Sequence, residues 1–314
     1  MPSIKRGLNH LLHNRAQFCD SIVKNFLGFL PDKLYLSLRY RCKMGHWINW
    51  KNPKTFTEKL QWLKVYNYKP EYTKMVDKLA AKDYVASRIG EEYIIPTLGV
   101  WDRVEDIDWD SLPDQFVLKT THGGGGGGVV VCSDKTHFDK AKAIKKLQTS
   151  MHSNAGKTYR ERPYLNVPRK IIAEKFMDER TAKVNTKNSD LPDYKFFCFN
   201  GKVKCFKIDF GRFVDHHANY YSPEGKLLPF GEKGLEPDSN HIEIIPENLD
   251  KMIVIAEKLS DGFKFLRVDL YNVKGKIYFG ELTFYPAAGM GAFVPEEWDE
   301  KLGGMLNLDN HNVH

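Results

Sequence analysis

The chain is short of the features that would place it outside the cell or across a membrane. It has five cysteines, Cys19, Cys42, Cys132, Cys198 and Cys205, odd in number, scattered and without a CxxC pair. That excludes the dense disulfide scaffold of small secreted domains and the paired spacing of zinc sites. No apolar run reaches the roughly 18 residues of a membrane span, and the first residues lack the compact apolar core and cleavage pattern of a signal peptide. These absences lead to the expectation of a soluble or peripheral protein in a reducing, cytoplasmic setting.

Acidic residues are scarce at one end. Residues 1–51 carry nine lysines and arginines against Asp20 and Asp32, an excess of seven that equals the formal charge of the whole chain, +7. Interleaved with those charges are Leu8, Leu11, Leu12, Phe18, Ile22, Val23, Phe26, Leu27, Phe29 and Leu30, a roughly helical pattern with a basic side. Two readings stand: a packed helical subdomain with a solvated basic face, or peripheral contact with an anionic membrane surface, which would be the inner face of the membrane. Nucleic acid is the weaker partner, because no recognised binding motif accompanies the charge. The remaining chain is balanced in charge. Its length of 314 residues and aromatic content of 13% suit two or three packed domains rather than disorder.

Beyond residue 51 the elements follow in regular order. Thr55 to Tyr66, TFTEKLQWLKVY, predicts an amphipathic helix with Thr55 as cap and Glu58 three residues on. A second helix is expected over Thr73 to Ser87, and Tyr93 to Val100, with Pro96 inside, reads as a short edge strand or extended connector. Gln115 to Thr120 is a strand that runs into six glycines, Gly123, Gly124, Gly125, Gly126, Gly127 and Gly128, before the strand Val129-Val130-Val131. A glycine-rich hairpin loop lets backbone N–H groups approach phosphate oxygens and lets the loop open and close. Lys119, ending the first strand, can set an ammonium against the same phosphates. The loop lacks the GK[ST] of a Walker loop and the following helix of a Rossmann fingerprint, so a plain flexible connector is the alternative. A helix around Phe138 to Leu147 and a polar loop, Met151 to Pro168, come next. Lys170 to Met177 then reads as an apolar strand; an edge backbone of this kind can pair with the rim of an adenine ring, but by itself it is only a strand.

The richest stretch is Phe263 to Gly291. Two apolar strands meet at the turn Asn272-Val273-Lys274-Gly275, with Arg267 and Asp269 sharing a face of the first and Glu281 and Thr283 a face of the second. Asp269 then lies across from Phe279 to Glu281, so both carboxylates can hold one hard cation, for which Mg²⁺ is the candidate. A sheet edge with scattered polar residues is the bland alternative for this hairpin taken alone. Elsewhere, the adjacent His216 and His217 point to opposite faces of a strand and suit solvated or substrate-facing roles better than a shared metal. His122 is open to a phosphate contact or a structural role. Tyr220, Tyr221, Phe230 and Trp298 suit a core better than a sugar platform.

The order of these parts, a helix with Asp77 and Lys78, a strand lysine with a glycine loop, a strand ending EKFM, and RVD followed by GELTFYP, resembles the ATP-grasp superfamily. More narrowly, DYKFFCFNGK, LRVDLYN and YFGELTFYP resemble the TupA-like ATP-grasp family, found among bacterial proteins for cell-surface polymers. The superfamily resemblance covers roughly Met75 to Leu306, and the narrower one adds NPKTFTEKLQWLK, Asn52 to Lys64. It implies an α/β (α+β) ATP-grasp fold in which two α+β subdomains clasp ATP, plus a helical N-terminal region. The expected divisions are a basic helical region 1–74, a segment 75–118 before the lid, a lid subdomain 119–177 and a catalytic subdomain 178–314.

The resemblance also implies roles. Lys78 and Lys119 would contact ATP phosphates under Gly123 to Gly128, while Glu174 and the backbone of Phe176 and Met177 would hold adenine. Asp193 would meet the ribose and Lys195 a phosphate. Asp269 and Glu281 would hold Mg²⁺, Arg267 would steady charge at the transferred group, and Arg212 would bind the substrate carboxylate. The turn Gly289-Met290-Gly291 would offer backbone donors to the reacting acyl group. Two departures stand out: Thr283 occupies a position where many members have a metal-binding Asn, and no ribose-contacting glutamate is evident in Asp178-Glu179-Arg180. The implied reaction is ATP-dependent joining of a carboxylate to an amine through an acyl phosphate, with an amino acid and a uronic-acid-type surface glycan or its precursor as the expected pair. A kinase of a sugar hydroxyl, a glycosyltransferase of surface polysaccharide and a degenerate nucleotide-binding partner are the alternatives.

Overall fold

The computed structural model describes residues 15–124, 126–177, 191–210, 216–235, 237–238 and 245–309. Among these residues every pairing between strands is antiparallel, so helices and sheets segregate in the α+β manner. Strands β1 (Thr97–Trp101), β2 (Phe116–Thr120), β3 (Val129–Cys132) and β4 (Ile171–Lys175) form a four-stranded sheet in the order β1-β4-β2-β3. Its edge strand β1 comes from the segment that the sequence reading set before the lid. Helix Lys140–Met151, capped by Asp139 accepting from Lys142 N at 2.9 Å, packs Ala143 and Leu147 on Phe116, Leu118, Ile171 and Ala173.

A five-stranded sheet is built from β5 (Asp193–Phe199), β6 (Lys202–Phe210), β7 (His217–Tyr221), β9 (Phe265–Val273) and β10 (Lys276–Thr283), in the order β10-β9-β5-β6-β7; β8 (Gly231–Glu232) and β11 (Phe293–Val294) make a small ribbon beside it. Strand β5 is buried along its whole length, because both of its faces are covered. Cys198 Sγ lies 3.8 Å from the Ala256 carbonyl, which fixes the face toward helix Leu249–Ser260. On the opposite face Phe197, Phe199 and Phe265 surround Phe56, with ring centroids 6.5, 5.4 and 4.9 Å away. The sheet's core is therefore dry on one face and on half of the other.

Helix Phe56–Tyr66 starts as its sequence predicts: Thr55 Oγ1 accepts from Glu58 N and the Glu58 carboxylate accepts from Thr55 N. The same carboxylate also accepts from Asn49 N and Lys54 N, at 2.8 and 2.9 Å, so one glutamate satisfies three backbone donors before the first turn. Helix Glu297–Met305 holds this helix start, with Asp299 accepting from Thr57 N at 2.9 Å and from its hydroxyl at 2.5 Å. Ahead of it lie a helix through 15–26 and helix Asp32–Met44, tied together by the buried Arg39 and Asp20 at 2.6 and 2.8 Å. Leu36, Tyr40 and Ile48 pack with Met290. The helical N-terminal region is thus packed on its inner side.

The helix expected over Thr73 to Ser87 is two helices, Tyr72–Val76 and Ala80–Ile89. Asp77 separates them at ψ 115, and its carboxylate accepts from Leu79 N at 2.9 Å, the local side-chain bond by which an aspartate competes with a helix ladder. Asp77 and Lys78 therefore sit in a break between helices rather than on one. The helix expected around Phe138 to Leu147 runs from Lys140 to Met151, and the stretch around Tyr93 to Val100 resolves into a turn and then β1.

Gly303 and Gly304 give a paired test of the helix contact. A Cβ on Gly303 would lie 2.0 Å from the Lys54 carbonyl and 2.8 Å from Phe56 N, whereas one on Gly304 meets nothing within 4 Å. Gly303→Ala is expected to destabilise by about 1–3 kcal/mol and Gly304→Ala to stabilise by about 0.5–1 kcal/mol, read from urea unfolding midpoints.

Candidate active site

A single rung of the five-stranded sheet carries the site's charge. The register aligns Glu281 with Asp269, Asp269 with Lys195, Lys195 with Lys207, and Lys207 with Tyr220, one residue from each strand. Two features of the hairpin place Glu281 there. Lys274 and Gly275 both have positive φ, 52 and 80°, the two-residue turn that matches strand twist. A register shift between Phe279 and Glu281 then inserts Gly280, where a Cβ would sit 3.0 Å from the Asp269 carbonyl. Without that extra residue, Glu281 would face the helix Leu249–Ser260 side.

Around the rung the charges interlock. Arg267 Nε and Nη2 each donate to Asp269, both at 2.7 Å, and Nη2 donates to Thr283 Oγ1 at 3.1 Å. Lys195 bridges Asp193 and Asp209, the latter at 2.6 Å, while Lys207 lies 2.9 Å from Glu232 and 3.5 Å from Asp209. His216 Nε2 is 3.3 Å from Asp209. Burial raises the Asp269 carboxyl to about 6, against the lowering effect of the Arg267 guanidinium, and Asp193 adds to the rise. Five carboxylates, Asp193, Asp209, Glu232, Asp269 and Glu281, thus stand against three fixed cations, Lys195, Lys207 and Arg267.

This face opens on a cavity of about 1320 Å³, whose far wall is the four-stranded sheet. Lys78, Lys119, Gly123, Gly124, Gly126 and Gly127 line it. The glycine loop closes a true hairpin, with Lys119 opposite Val129 and Thr120 N donating to the Gly128 carbonyl at 3.1 Å. Its glycines are not equivalent. Gly126 has φ +75, and a Cβ on Gly128 would lie 2.0 Å from Thr120 Oγ1, whereas Gly124 and Gly127 have open space. Lys78 Nζ donates to the Gly123 carbonyl and its backbone N–H to the Thr121 carbonyl, so the break at Asp77 holds the start of the loop.

The third wall comes from Tyr159, Glu161 and Tyr164 and from Tyr285 to Ala288. Ala287 and Ala288 are both left-handed, φ 48 and 54°, a conformation costing an alanine roughly 1–2 kcal/mol. Helix Phe56–Tyr66 holds them there: Lys64 Nζ donates to the Ala288 carbonyl at 2.7 Å and Gln61 Nε2 to the Gly289 carbonyl at 2.6 Å. Lys64 Nζ is also 3.6 Å from Glu161. Burial raises Glu161 to about 7 and lowers Lys64 to about 8, each opposed by the other's charge.

The structure gathers Lys78, Lys119, Gly123, Gly124, Gly126, Gly127, Asp193, Lys195, Arg267, Asp269 and Glu281 around one cavity, and Gly128 packs on Thr120 instead. Glu174, Phe176 and Met177 are not among its lining residues. The Glu174 carboxylate is 5% exposed and held between Lys82 and Lys119, both at 2.6 Å, so its geometry organises lysines. The turn at Gly289-Met290-Gly291 presents no donor set to the cavity; Met290 is buried with Leu36 and Tyr40, and Pro286 to Ala288 form the wall instead. His122 is structural, its Nε2 within 3.1 Å of the Ser150 carbonyl. Tyr220, Phe230 and Trp298 stack in sequence at 4.3 and 4.1 Å inside the core. Gly125, Arg212 and the stretch Asp178-Glu179-Arg180 lie outside the described residues.

Sequence reasoning missed Lys82, Lys207, Asp209, Glu232 and Glu161. Lys207 and Asp209 repeat, one strand away, the spacing of Asp193 and Lys195, a signal that was there to be read. Glu232 and Glu161 come from short segments with no periodic pattern.

The donor set fits a divalent hard cation. Asp269 and Glu281 are paired in register, and the surrounding face has two more carboxylates than cations. Among the described residues no cluster of three or more acids, histidines or cysteines converges. The pair Asp269 and Glu281 is of the kind Mg²⁺ takes, since that ion binds one or two protein carboxylates and completes its shell with phosphates and water. The Thr283 hydroxyl accepts from Arg267 Nη2.

A family model described as TupA-like ATPgrasp matches residues 58–307. No curated protein matches the chain. Among solved structures, the chain is similar to a D-alanine–D-alanine ligase from Bacillus anthracis complexed with ATP, at 15% identity and TM-score 0.37, covering 67% of this chain and 53% of that one. It is similar to an N5-carboxyaminoimidazole synthetase from Staphylococcus aureus complexed with ADP, at 14% identity and TM-score 0.41, covering 71% and 50%. A D-alanine–D-alanine ligase from Helicobacter pylori gives 15% identity and TM-score 0.42, covering 80% and 69%. The chain spans about half the length of the first two. Among the described residues no helix is long and apolar enough to cross a membrane.

Glu161 gives the site a pH signature. Its folded pKa of about 7 lies above the ordinary 4.5, so its contribution to stability is full below about pH 4.5 and lost as pH rises through 7. Lys64 has the opposite sense: lowered from 10.5 to about 8, it contributes above 10.5 and loses that contribution as pH falls through 8. Glu161→Gln removes the first loss. Relative to the parent, the variant is expected to gain on the order of 1–3 kcal/mol between pH 5.5 and 8, measured by urea unfolding at both values.

Proposed function

The chain belongs to the TupA-like ATP-grasp family, and from that premise we propose that it is an ATP-dependent, ADP-forming ligase that joins a carboxylate to an amine. The observation that carries this reading is the charged rung facing the glycine hairpin across one cavity: acids and Arg267 on one wall, phosphate-seeking lysines on the other.

In this reading Lys78 and Lys119 offset the charge of the ATP phosphates, and Gly126 and Gly128 let the hairpin backbone close over them. Asp269 and Glu281 would hold Mg²⁺, which when bound offsets phosphate charge and polarises the transferred group. Arg267, whose Nε and Nη2 reach Asp269, would present guanidinium donors to the transferred phosphoryl oxygens. Lys195 faces the same region from the next strand. A substrate carboxylate oxygen takes the terminal phosphoryl group, giving an acyl phosphate and ADP. An amine then attacks the acyl carbon, forming the amide and releasing phosphate and a proton. Lid and sheet exclude water that would otherwise hydrolyse the acyl phosphate. No side-chain nucleophile is required.

For the substrates, the proposal is an amino acid joined to a uronic-acid-type surface glycan or its precursor, a choice supported by the family description alone. Phosphate released in proportion to ADP supports a ligase; phosphate retained on a sugar product would turn the reading to a kinase.

Calorimetry tests the site directly. Mg²⁺-dependent ATP binding is expected in the parent and weakened at least about tenfold in Asp269→Asn/Glu281→Gln, because the cation loses charged ligands. Preference for a UDP-sugar, or no affinity for ATP, would overturn the ligase reading and favour a glycosyltransferase.

A further inference from the structure

The helix through 15–26 and the turn after it present an apolar outer side. Phe18, Ile22 and Phe26 recur every four residues and are 67, 38 and 71% exposed; Phe29 follows at 80% and Leu34 at 49%. On the inner side Val23 is buried and Asp20 grips Arg39 with two hydrogen bonds. The helix is therefore pinned to the body, and its aromatic side is what it offers outward.

The charge around this side has one sign. Arg15, Lys24, Lys33 and Arg41 are exposed, and Lys43 lines the cavity. The two acids of the region are both engaged inward: Asp20 by Arg39, and Asp32 by Arg160 and Arg162 at 3.3 and 3.1 Å. Arg160 also donates to the carbonyls of Gly28 and Leu30, at 2.6 and 3.2 Å, holding the turn that carries Phe29. Four large apolar side chains fringed by unopposed cations match a surface that is negative at its headgroups and apolar just beneath. A second copy of the chain would bring the same positive charge against itself.

We propose that the side formed by Phe18, Ile22, Phe26 and Phe29, with its fringe of lysine and arginine, docks on an anionic lipid bilayer. The assignment stands apart from the chemistry of the cavity. It has a geometric consequence for it, because Arg160 and Arg162, which hold the docking turn, alternate with Tyr159 and Glu161, which line the cavity. A protein seated this way carries that cavity wall close to the membrane surface.

Vesicle sedimentation of the full chain tests it, comparing phosphatidylcholine alone with a phosphatidylcholine and phosphatidylglycerol mixture. Binding is expected on the anionic vesicles and not on the neutral ones. Phe18→Ser/Phe26→Ser/Phe29→Ser is expected to weaken it by about tenfold or more, and Arg15→Glu/Lys24→Glu by a similar factor that shrinks in high salt. The charge variant keeps the test sound if the triple variant fails to match the parent's circular dichroism. No sedimentation with anionic vesicles, or unchanged binding in both variants, overturns the proposal. So does a dimer seen by light scattering in the parent and lost in the triple variant, which would assign the face to a second copy.

Discussion

The structure depends on the forked pair of Arg267 and Asp269 at the centre of a buried charged rung. A carboxylate removed from water needs compensation, and the guanidinium supplies two donors at 2.7 Å. Compensation is incomplete, since burial still lifts the Asp269 carboxyl to about 6. The bulge at Gly280 then turns Glu281 onto the same face beside Asp269.

Such a face can persist only beside well-packed apolar material. Phe56, Phe197, Phe199 and Phe265 provide it, close-packed on the dry half of the same sheet face, while helix Leu249–Ser260 seals the other face. Helix Phe56–Tyr66 links this packing to the site. Its Phe56 fills the aromatic cluster, and one to two turns later Gln61 and Lys64 hold the left-handed alanines at the cavity wall. Folding energy gathered at one end of a helix is applied at the other to keep a strained turn in place.

Across the cavity the lysines are organised by a carboxylate with no exposure to speak of. Glu174 sits between Lys82 and Lys119, which keep it ionised against burial. Lys119 is thereby held at the base of the glycine hairpin, and Lys78 ties the hairpin's first carbonyl to the break between helices. The glycine run divides its labour: two positions meet backbone or packing demands, and others leave open space above the cavity.

The sequence by itself determined the elements whose cause is local. The capping box at Thr55 and Glu58, the glycine hairpin and the alternation of Arg267 with Asp269 all follow from contacts within a few residues, and all are found. The turn read over Asn272 to Gly275 falls one residue later, with Lys274 and Gly275 between the paired Val273 and Lys276. Only the tertiary structure decided which charges meet. Lys195 faces Lys207 and Asp269 because three strands share a register, and Glu174 serves Lys82 and Lys119 because strands distant in sequence bring them together. The register shift at Gly280 moves Glu281 from one face to the other, a change of one residue that alternation cannot foresee. Glu161 reaches Lys64 from a loop with no period at all. Pairing across strands and burial of charge are properties of the assembled sheet, so they become legible only once it is folded.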